Sequence, residues 1–188
     1  MEEVKIIKKV QEGDIRAFEQ LFELYKHKAM KTVYLMTGDK VVSEDIVQEA
    51  FVTCYLSIKS LKNLEYFKTW FFKLLTRTAW KYMKKERKLV PVEEVAQLVE
   101  KQHGEVYSSG IEQCSVSGSL YEEKLKLGTK LQTTLILYYY NELSIKEIAK
   151  IMSCLEGTVK SRLHTGRNKI KTNLVEQKSS IIPREAKI

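Results

Sequence analysis

The sequence predicts an all-α protein: two small helical domains joined by a flexible acidic linker, the second carrying a helix-turn-helix. Three observations predict this. Among 188 residues there are 2 Pro and 8 Gly with 44% hydrophobic residues, which favours long helices around a core over a sandwich or barrel. Apolar residues recur every three or four positions through most of the chain. Between 89 and 118 the composition turns acidic and then rich in Ser and Gly, while both flanking segments are basic. The domains are read as 8–88 and 119–176, with 89–118 as the linker.

Residues 1–13 form a charged lead-in with room for a short helix. Asp14 caps a long helix that ends near Gly38, with Phe18, Leu21, Phe22, Tyr25, Ala29, Val33 and Met36 on one face. Asp39 to Val42 reads as a turn. Ser43 then caps a second helix, with Glu44 and Asp45 in the first turn, where carboxylates suit the helix dipole. Ile46, Val47, Ala50, Phe51, Cys54, Tyr55 and Ile58 make its buried face. Asp45, Gln48, Glu49 and Thr53 lie off that face. Spacing leaves two readings open, a solvated surface or a docking surface for a basic partner helix.

Ser60 to Leu64 interrupts the pattern as a loop. Residues 65–88 follow, EYFKTWFFKLLTRTAWKYMKKERK, with seven of the chain's eighteen aromatic residues between Tyr66 and Tyr82. Lys68, Lys73, Arg77, Lys81, Lys84, Lys85, Arg87 and Lys88 are interleaved with them. Core packing accounts for most of the Phe residues. The accompanying charge matches what single-stranded DNA requires: cations track phosphates, and rings stack on unpaired bases at about 1–3 kcal/mol each. The same parts hold a base that has left the duplex stack.

Beyond the linker, Leu120, Leu125, Leu127 and Leu131 suggest a helix with a break near Gly128. Leu135 to Tyr140 has a β-friendly composition, but it leads directly into a capped helix and is read as helical. Ser144 and Glu147 form a capping box, and Ile145, Ile148, Ala149 and Met152 follow at helical spacing. Ser153-Cys154-Leu155 breaks the pattern. A second helix starts near Glu156, with Thr158 as its cap and Val159, Leu163, Ile170 and Leu174 as its buried stripe. Lys160, Ser161, His164, Thr165, Arg167, Asn168 and Lys171 face away. This suits a helix that enters a major groove; it also fits a plain helical hairpin with a basic outer face. The tail after Leu174 is expected to fray.

The formal net charge of +8 is compatible with nucleic acid or an anionic membrane surface. No apolar run is long enough to span a bilayer and the N-terminus has no cleavable leader, so a cytoplasmic location is expected. Cys54, Cys114 and Cys154 are odd in number and form no CxxC pair, so reduced thiols are expected. Cys114 with His103 would need ligands from elsewhere to hold a metal. No Gly-rich phosphate loop, HExxH, GxSxG or paired-carboxylate constellation occurs. The expectation is a protein with no catalytic residues, metal or cofactor.

Three blocks stand in order: SEDIVQEAF (43–51), FKTWFFKLLTRTAWKYMKKERK (67–88) and EIAKIMSCLEGTVKSRL (147–163). Together they resemble bacterial RNA polymerase sigma factors of the sigma-70 superfamily, extracytoplasmic-function type, over about residues 10–88 and 119–174. The resemblance implies a non-enzymatic protein that directs core RNA polymerase to promoters. By match, Asp45, Gln48, Glu49 and Phe51 dock on the clamp helices of the polymerase β′ subunit, Phe51 mainly by packing. The loop with Asn63 receives a flipped non-template base of the −10 element. Tyr66, Trp70, Arg77, Lys81, Lys84 and Lys85 contact the strand, Trp70 at a position often buried in the family. Lys160, Ser161, Arg162, His164, Thr165 and Arg167 read the −35 element. The implied partners are core RNA polymerase (β′ clamp helices and β subunit), promoter DNA and an anti-sigma factor, often membrane-anchored, which would then hold the chain at the membrane.

The chain departs from the family pattern in two places. Thr78 stands where Asn often follows Arg77, and Thr165-Gly166 replaces a usual Arg-Ala. Losing that Arg removes a phosphate or guanine contact, and Gly166 costs on the order of 1 kcal/mol of helix stability relative to Ala. Two other functions fit parts of the sequence. A regulator using the helix-turn-helix alone would bind duplex DNA without polymerase. A recombinase-like enzyme would need a nucleophile or metal-binding carboxylates that the sequence does not offer.

Overall fold

The computed structural model describes residues 2–89 and 128–181, with side chains described over 2–85 and 128–172. The linker and the expected helical positions Leu120, Leu125 and Leu127 lie outside these residues, as do His103 and Cys114. The chain divides into two compact units, one within Met1–Ser115 and one within Val116–Ile188. Both are helical, with no strand among the described residues.

Among its described residues the N-terminal unit packs four α-helices: α1 (Glu2–Gln11), α2 (Ile15–Thr37), α3 (Lys40–Ser57) and α4 (Phe67–Leu89). The charged lead-in is mostly helix, and α1 belongs to the core rather than preceding it. Ile7 and Val10, three residues apart on one face, are buried. Tyr25 Oη donates to Glu3, and Gln11 Nε2 donates to the carbonyls of Ile58 (2.8 Å) and Leu61 (2.9 Å). The unit therefore starts before residue 8. Asp14 caps α2 as expected, accepting from the backbone of Arg16 and Ala17, and Gly38 ends it at φ 81.

The start of α3 differs from expectation. Asp39, not Ser43, is the N-cap, and its carboxylate accepts from Val42 N at 2.9 Å. Ser43 lies inside the helix, buried, with its hydroxyl donating to the Asp39 carbonyl. Two cap-forming residues stand four apart, and the earlier one wins because it lets the helix gain a turn.

The core of this unit is aromatic. Phe51 lies between Phe22 and Phe71, with ring centroids 4.7 and 4.9 Å away, and Tyr25 meets Phe67 and Phe71 at 5.3 Å each. Such pairs contribute about 0.5–1.5 kcal/mol each beyond their buried area. Burial raises the Tyr25 phenol well above its ordinary range, and the neighbouring Glu3 adds to this. Burial also pushes the Cys54 thiol up to about 12, so it is an inert packing group.

The C-terminal unit begins at Gly128, which caps α5 (Thr129–Leu135). The next residues, Ile136–Tyr140, are helical as expected but form a wide π turn, with Asn141 N–H bonded to the Ile136 carbonyl at 3.1 Å. Thr133 and Thr134 are buried in α5, and their hydroxyls donate to the Thr129 and Lys130 carbonyls at 2.8 and 2.7 Å. Then come α6 (Ile145–Met152) and α7 (Glu156–Ile181). The Ser144–Glu147 capping box is present in both halves. Ser153 turns the chain through a left-handed conformation, φ 51 and ψ 50.

Two expectations about α7 need correction. It starts at Glu156, so Thr158 is inside the first turn and the Leu155 carbonyl accepts from Thr158 N and Val159 N. It also continues to Ile181, well past the point where fraying was expected.

Candidate functional site

The outer side of α3 is neither purely polar nor purely solvated. Val41, Asp45, Gln48 and Val52 recur at three- and four-residue steps and share one exposed side, which Leu56 extends. Tyr55, expected on the buried face, is exposed at the edge of this side while its ring meets Phe18. Leu56 is 75% exposed, Val41 67% and Val52 60%. Three aliphatic side chains held in water beside a carboxylate and an amide make a surface suited to a partner. The sequence reading named Asp45, Gln48, Glu49 and Phe51 here. Asp45 and Gln48 are central to the face, while Phe51 is buried and fixes α3 against α2 and α4. Glu49 sits on the flank and accepts from Lys81 Nζ of α4 at 3.1 Å. Val41, Val52 and Leu56 were not named. Their signal was present as apolar residues falling off the buried stripe.

The loop before α4 is short and ordered by its own hydrogen bonds. Ile58–Ser60 and Leu64–Tyr66 are 3₁₀ turns. Asn63 joins them as a cap: its Oδ1 accepts from Glu65 N at 3.0 Å, and its carbonyl accepts from Tyr66 N at 3.2 Å. Asn63 and Tyr66 are both exposed, Tyr66 to 52%. Trp70, Arg77, Lys81 and Lys84 then recur along one side of α4, joined by Lys73. Arg77, Lys81, Lys84 and Lys85 are exposed, and Lys85 lies off this stripe. Trp70 is half-buried, its ring 5.9 Å from that of Phe67. Lys73, interleaved with the rings in the sequence, was not among the strand contacts that the family match implied. Thr78 faces the core, where its hydroxyl donates to the Leu74 carbonyl at 3.2 Å. Its departure from the family's Asn is a packing change, away from the basic side.

In the C-terminal unit, the buried side of α7 consists of Val159, Leu163, Gly166 and the half-buried Ile170. Opposite this stripe are Ser161, His164, Thr165 and Asn168, all exposed. His164 Nε2 and Asn168 Nδ2 lie 3.0 Å apart. Lys160, Arg167 and Lys171 line one flank. Arg162, expected to face DNA, is half-buried and turned back toward the turn. Its Nη1 lies 3.8 Å from Cys154 Sγ and 3.9 Å from Met152 Sδ, so it braces the two helices. Gly166 is where α7 meets α5: a Cβ there would lie 2.8 Å from Leu135 Cδ1. Leu174 falls beyond the described side chains.

Among the described residues no group of three His, Cys, Asp or Glu is placed to hold a metal, and no helix is long and apolar enough to cross a membrane.

Known proteins resemble this chain along nearly its whole length. Residues 21–89 match sigma-70 region 2 and residues 118–170 match sigma-70 region 4. The chain is 33% identical over 180 residues to the ECF RNA polymerase sigma factor SigW of Bacillus subtilis (strain 168), covering 90% of this chain and 95% of that protein. It is 30% identical over 176 residues to the ECF RNA polymerase sigma-E factor of Escherichia coli (strain K12), with 88% and 90% covered. Among solved structures, CnrH in complex with the cytosolic domain of CnrY superposes with a TM-score of 0.69 at 16% identity, covering 93% of this chain and 97% of that one. The sigma factor RpoE in complex with the anti-sigma factor NepR from Bartonella quintana gives 0.65 at 19% identity, with 85% and 98% covered. At these identities the structural likeness shows the fold.

Proposed function

Because this chain belongs to the sigma-70 family of RNA polymerase sigma factors, in its extracytoplasmic-function group, we propose that its four exposed surfaces divide the work of promoter recognition. The outer side of α3 docks core polymerase on the β′ clamp helices. The Asn63 loop and the basic side of α4 capture the opened −10 strand. The outward side of α7 reads the −35 duplex.

The observation that carries this reading is the joint presence, in one compact unit, of a mixed acidic and aliphatic face on α3 and a basic, ring-bearing side on α4. The α3 face offers Asp45 and Gln48 to a basic helix, with Val52 and Leu56 as apolar anchors. On α4, Arg77, Lys73 and Lys84 track phosphates, while Tyr66 and the edge of Trp70 offer stacking surface. Asn63, exposed and fixed as a cap, presents amide donors where an unstacked base would enter. On α7, Ser161, His164 and Asn168 face base edges and the cations on the flank face phosphates. No bond-making step belongs to the chain in this reading; RNA synthesis is the polymerase's. An anti-sigma factor would silence it by covering the apolar part of the α3 face.

The test is binding of the full chain to core RNA polymerase. Replacing Asp45 with Lys, or Leu56 with Asp, changes exposed groups and leaves the core intact. Each is expected to weaken polymerase binding by about tenfold or more, comparable to about 1.4 kcal/mol at a well-placed contact. Unchanged affinity in both variants would remove α3 as the docking element.

A further inference from the structure

Tyr139 is large and aromatic, yet it is 56% exposed beside α7. The wide turn Ile136–Tyr140 puts it there. A π turn adds to the circumference of a helix, so residues at its end leave the α-helical register. The ring of Tyr138 props Tyr139 edge-on, at 5.0 Å and 83°. Arg167 Nε donates to Tyr139 Oη at 2.7 Å, and the guanidinium carbon lies 6.0 Å from the Tyr139 ring centroid. The guanidinium is thus held through its Nε, and its two Nη groups carry further N–H donors for a ligand. Tyr139 Oη is used as an acceptor by Arg167, so its own O–H remains a donor. Arg167 lies on the flank of α7 with Lys160 and Lys171, off the outward strip of Ser161, His164 and Asn168. Flanking groups meet the sugar-phosphate backbone of a groove that the outward strip enters.

We propose that Tyr139 and Arg167 together form a clamp on one phosphate of the duplex read by α7. Arg167 supplies the charge and two Nη donors. Tyr139 supplies a hydroxyl donor and holds the guanidinium in its binding orientation before contact. The clamp sets the position of α7 on the backbone and carries no base preference. It rests on the reading of α7 as the duplex-reading helix.

The experiment uses the full chain bound to core RNA polymerase. Affinity is measured against salt on two duplexes of equal length, one from the region upstream of the protein's own gene and one unrelated. Arg167→Gln is expected to reduce the slope of log affinity against log salt by about one, the signature of one lost phosphate contact. Tyr139→Phe keeps the ring and all charge. It is expected to weaken binding about three- to tenfold at fixed salt, through lost preorganisation and a lost donor, with slope and base preference unchanged. In the Arg167→Gln background, Tyr139→Phe should then matter less than about twofold. Arg167→Lys should restore the slope without restoring the coupling to Tyr139.

Melting temperatures of the variants separate these effects from lost folding. Tyr139→Phe without effect, or with an undiminished effect in the Arg167→Gln background, overturns the clamp. Failure of the wild-type complex to distinguish the two duplexes instead overturns the reading of α7, and the clamp with it.

Discussion

Gly166 lets α7 lie so close to Leu135 of α5 that a Cβ there would require the Leu135 side chain to shift. Read as a helical residue, Gly is a defect worth on the order of 1 kcal/mol relative to Ala. Read in the packed unit, a methyl group there meets Leu135 Cδ1 at 2.8 Å, and overpacking of this kind costs about 1–3 kcal/mol. Gly166→Ala is therefore expected to lower the stability of the C-terminal unit in the wild type. In a Leu135→Ala background the same change should raise it by about 1 kcal/mol, since the obstacle is gone and the helical preference remains. Urea titration of the four variants checks the change of sign.

Cys54 makes a second prediction at this scale. Burial pushes its folded thiol from the ordinary range up to about 12, so the folded chain keeps a proton that the unfolded chain releases. The resulting stability is intact below pH 9 and falls as pH rises from there toward 12. Between pH 9 and 10 this thiol is expected to cost about 1 kcal/mol, and the decline in that window, compared by urea titration, should be smaller in Cys54→Ala, where the buried Tyr25 phenol still contributes. Helical spacing already placed Cys54 on the buried side of α3, but residue identity alone could not reveal the role of Gly166. The burial of Gly166 and the inward turn of Arg162 depend on which helix lies opposite, information carried by residues such as Leu135 far away in the chain.

Helices were more legible than their ends. Apolar spacing placed α2, α3, α4, α6 and α7, because a face buried against neighbours must repeat with the helical turn. Caps were legible where one candidate stood alone, as at Asp14 and at Ser144 with Glu147. They were not where two competed, as at Asp39 and Ser43. Nor was the role of α1, whose Gln11 amide side chain donates two hydrogen bonds to the 58–61 turn. Gln11 bonds two carbonyls of that turn, and Asn63 follows two residues later. Replacing Gln11 with Leu leaves both carbonyls without that donor. It is expected to speed hydrogen exchange at the Leu61–Tyr66 amides by about tenfold, equivalent to about 1.4 kcal/mol of local opening. Ser144→Ala removes the side-chain half of the capping box and should destabilise the C-terminal unit by about 1 kcal/mol without touching exchange in the 61–66 segment.

For the molecule as a whole, the proposed function divides the recognition of DNA between the two units. The N-terminal one presents a mixed acidic and aliphatic face and a basic, ring-bearing face on adjacent helices, and the C-terminal one presents a polar helix face flanked by cations. Two modest contacts on one chain gain from effective concentration once either is made. The net charge of +8 predicts that the DNA component weakens steeply with salt, while the docking face, with its aliphatic anchors, is less sensitive. That the chain forms two units was legible in the sequence from the change of composition between two basic segments. The aliphatic share of the docking face was not, because exposure of Val52 and Leu56 becomes apparent once α3 has a defined buried side.

The most direct measurement of the central claim is run-off transcription with purified core RNA polymerase, with and without the chain. The template is the region upstream of the protein's own gene, as intact duplex and with the −10 region pre-melted. The account predicts initiation from a fixed start site that depends on the chain. It also predicts that Arg77→Ala with Lys84→Ala impairs the intact template more than the pre-melted one. Tight binding of the chain alone to the duplex, with no initiation on either template when polymerase is present, would contradict the account.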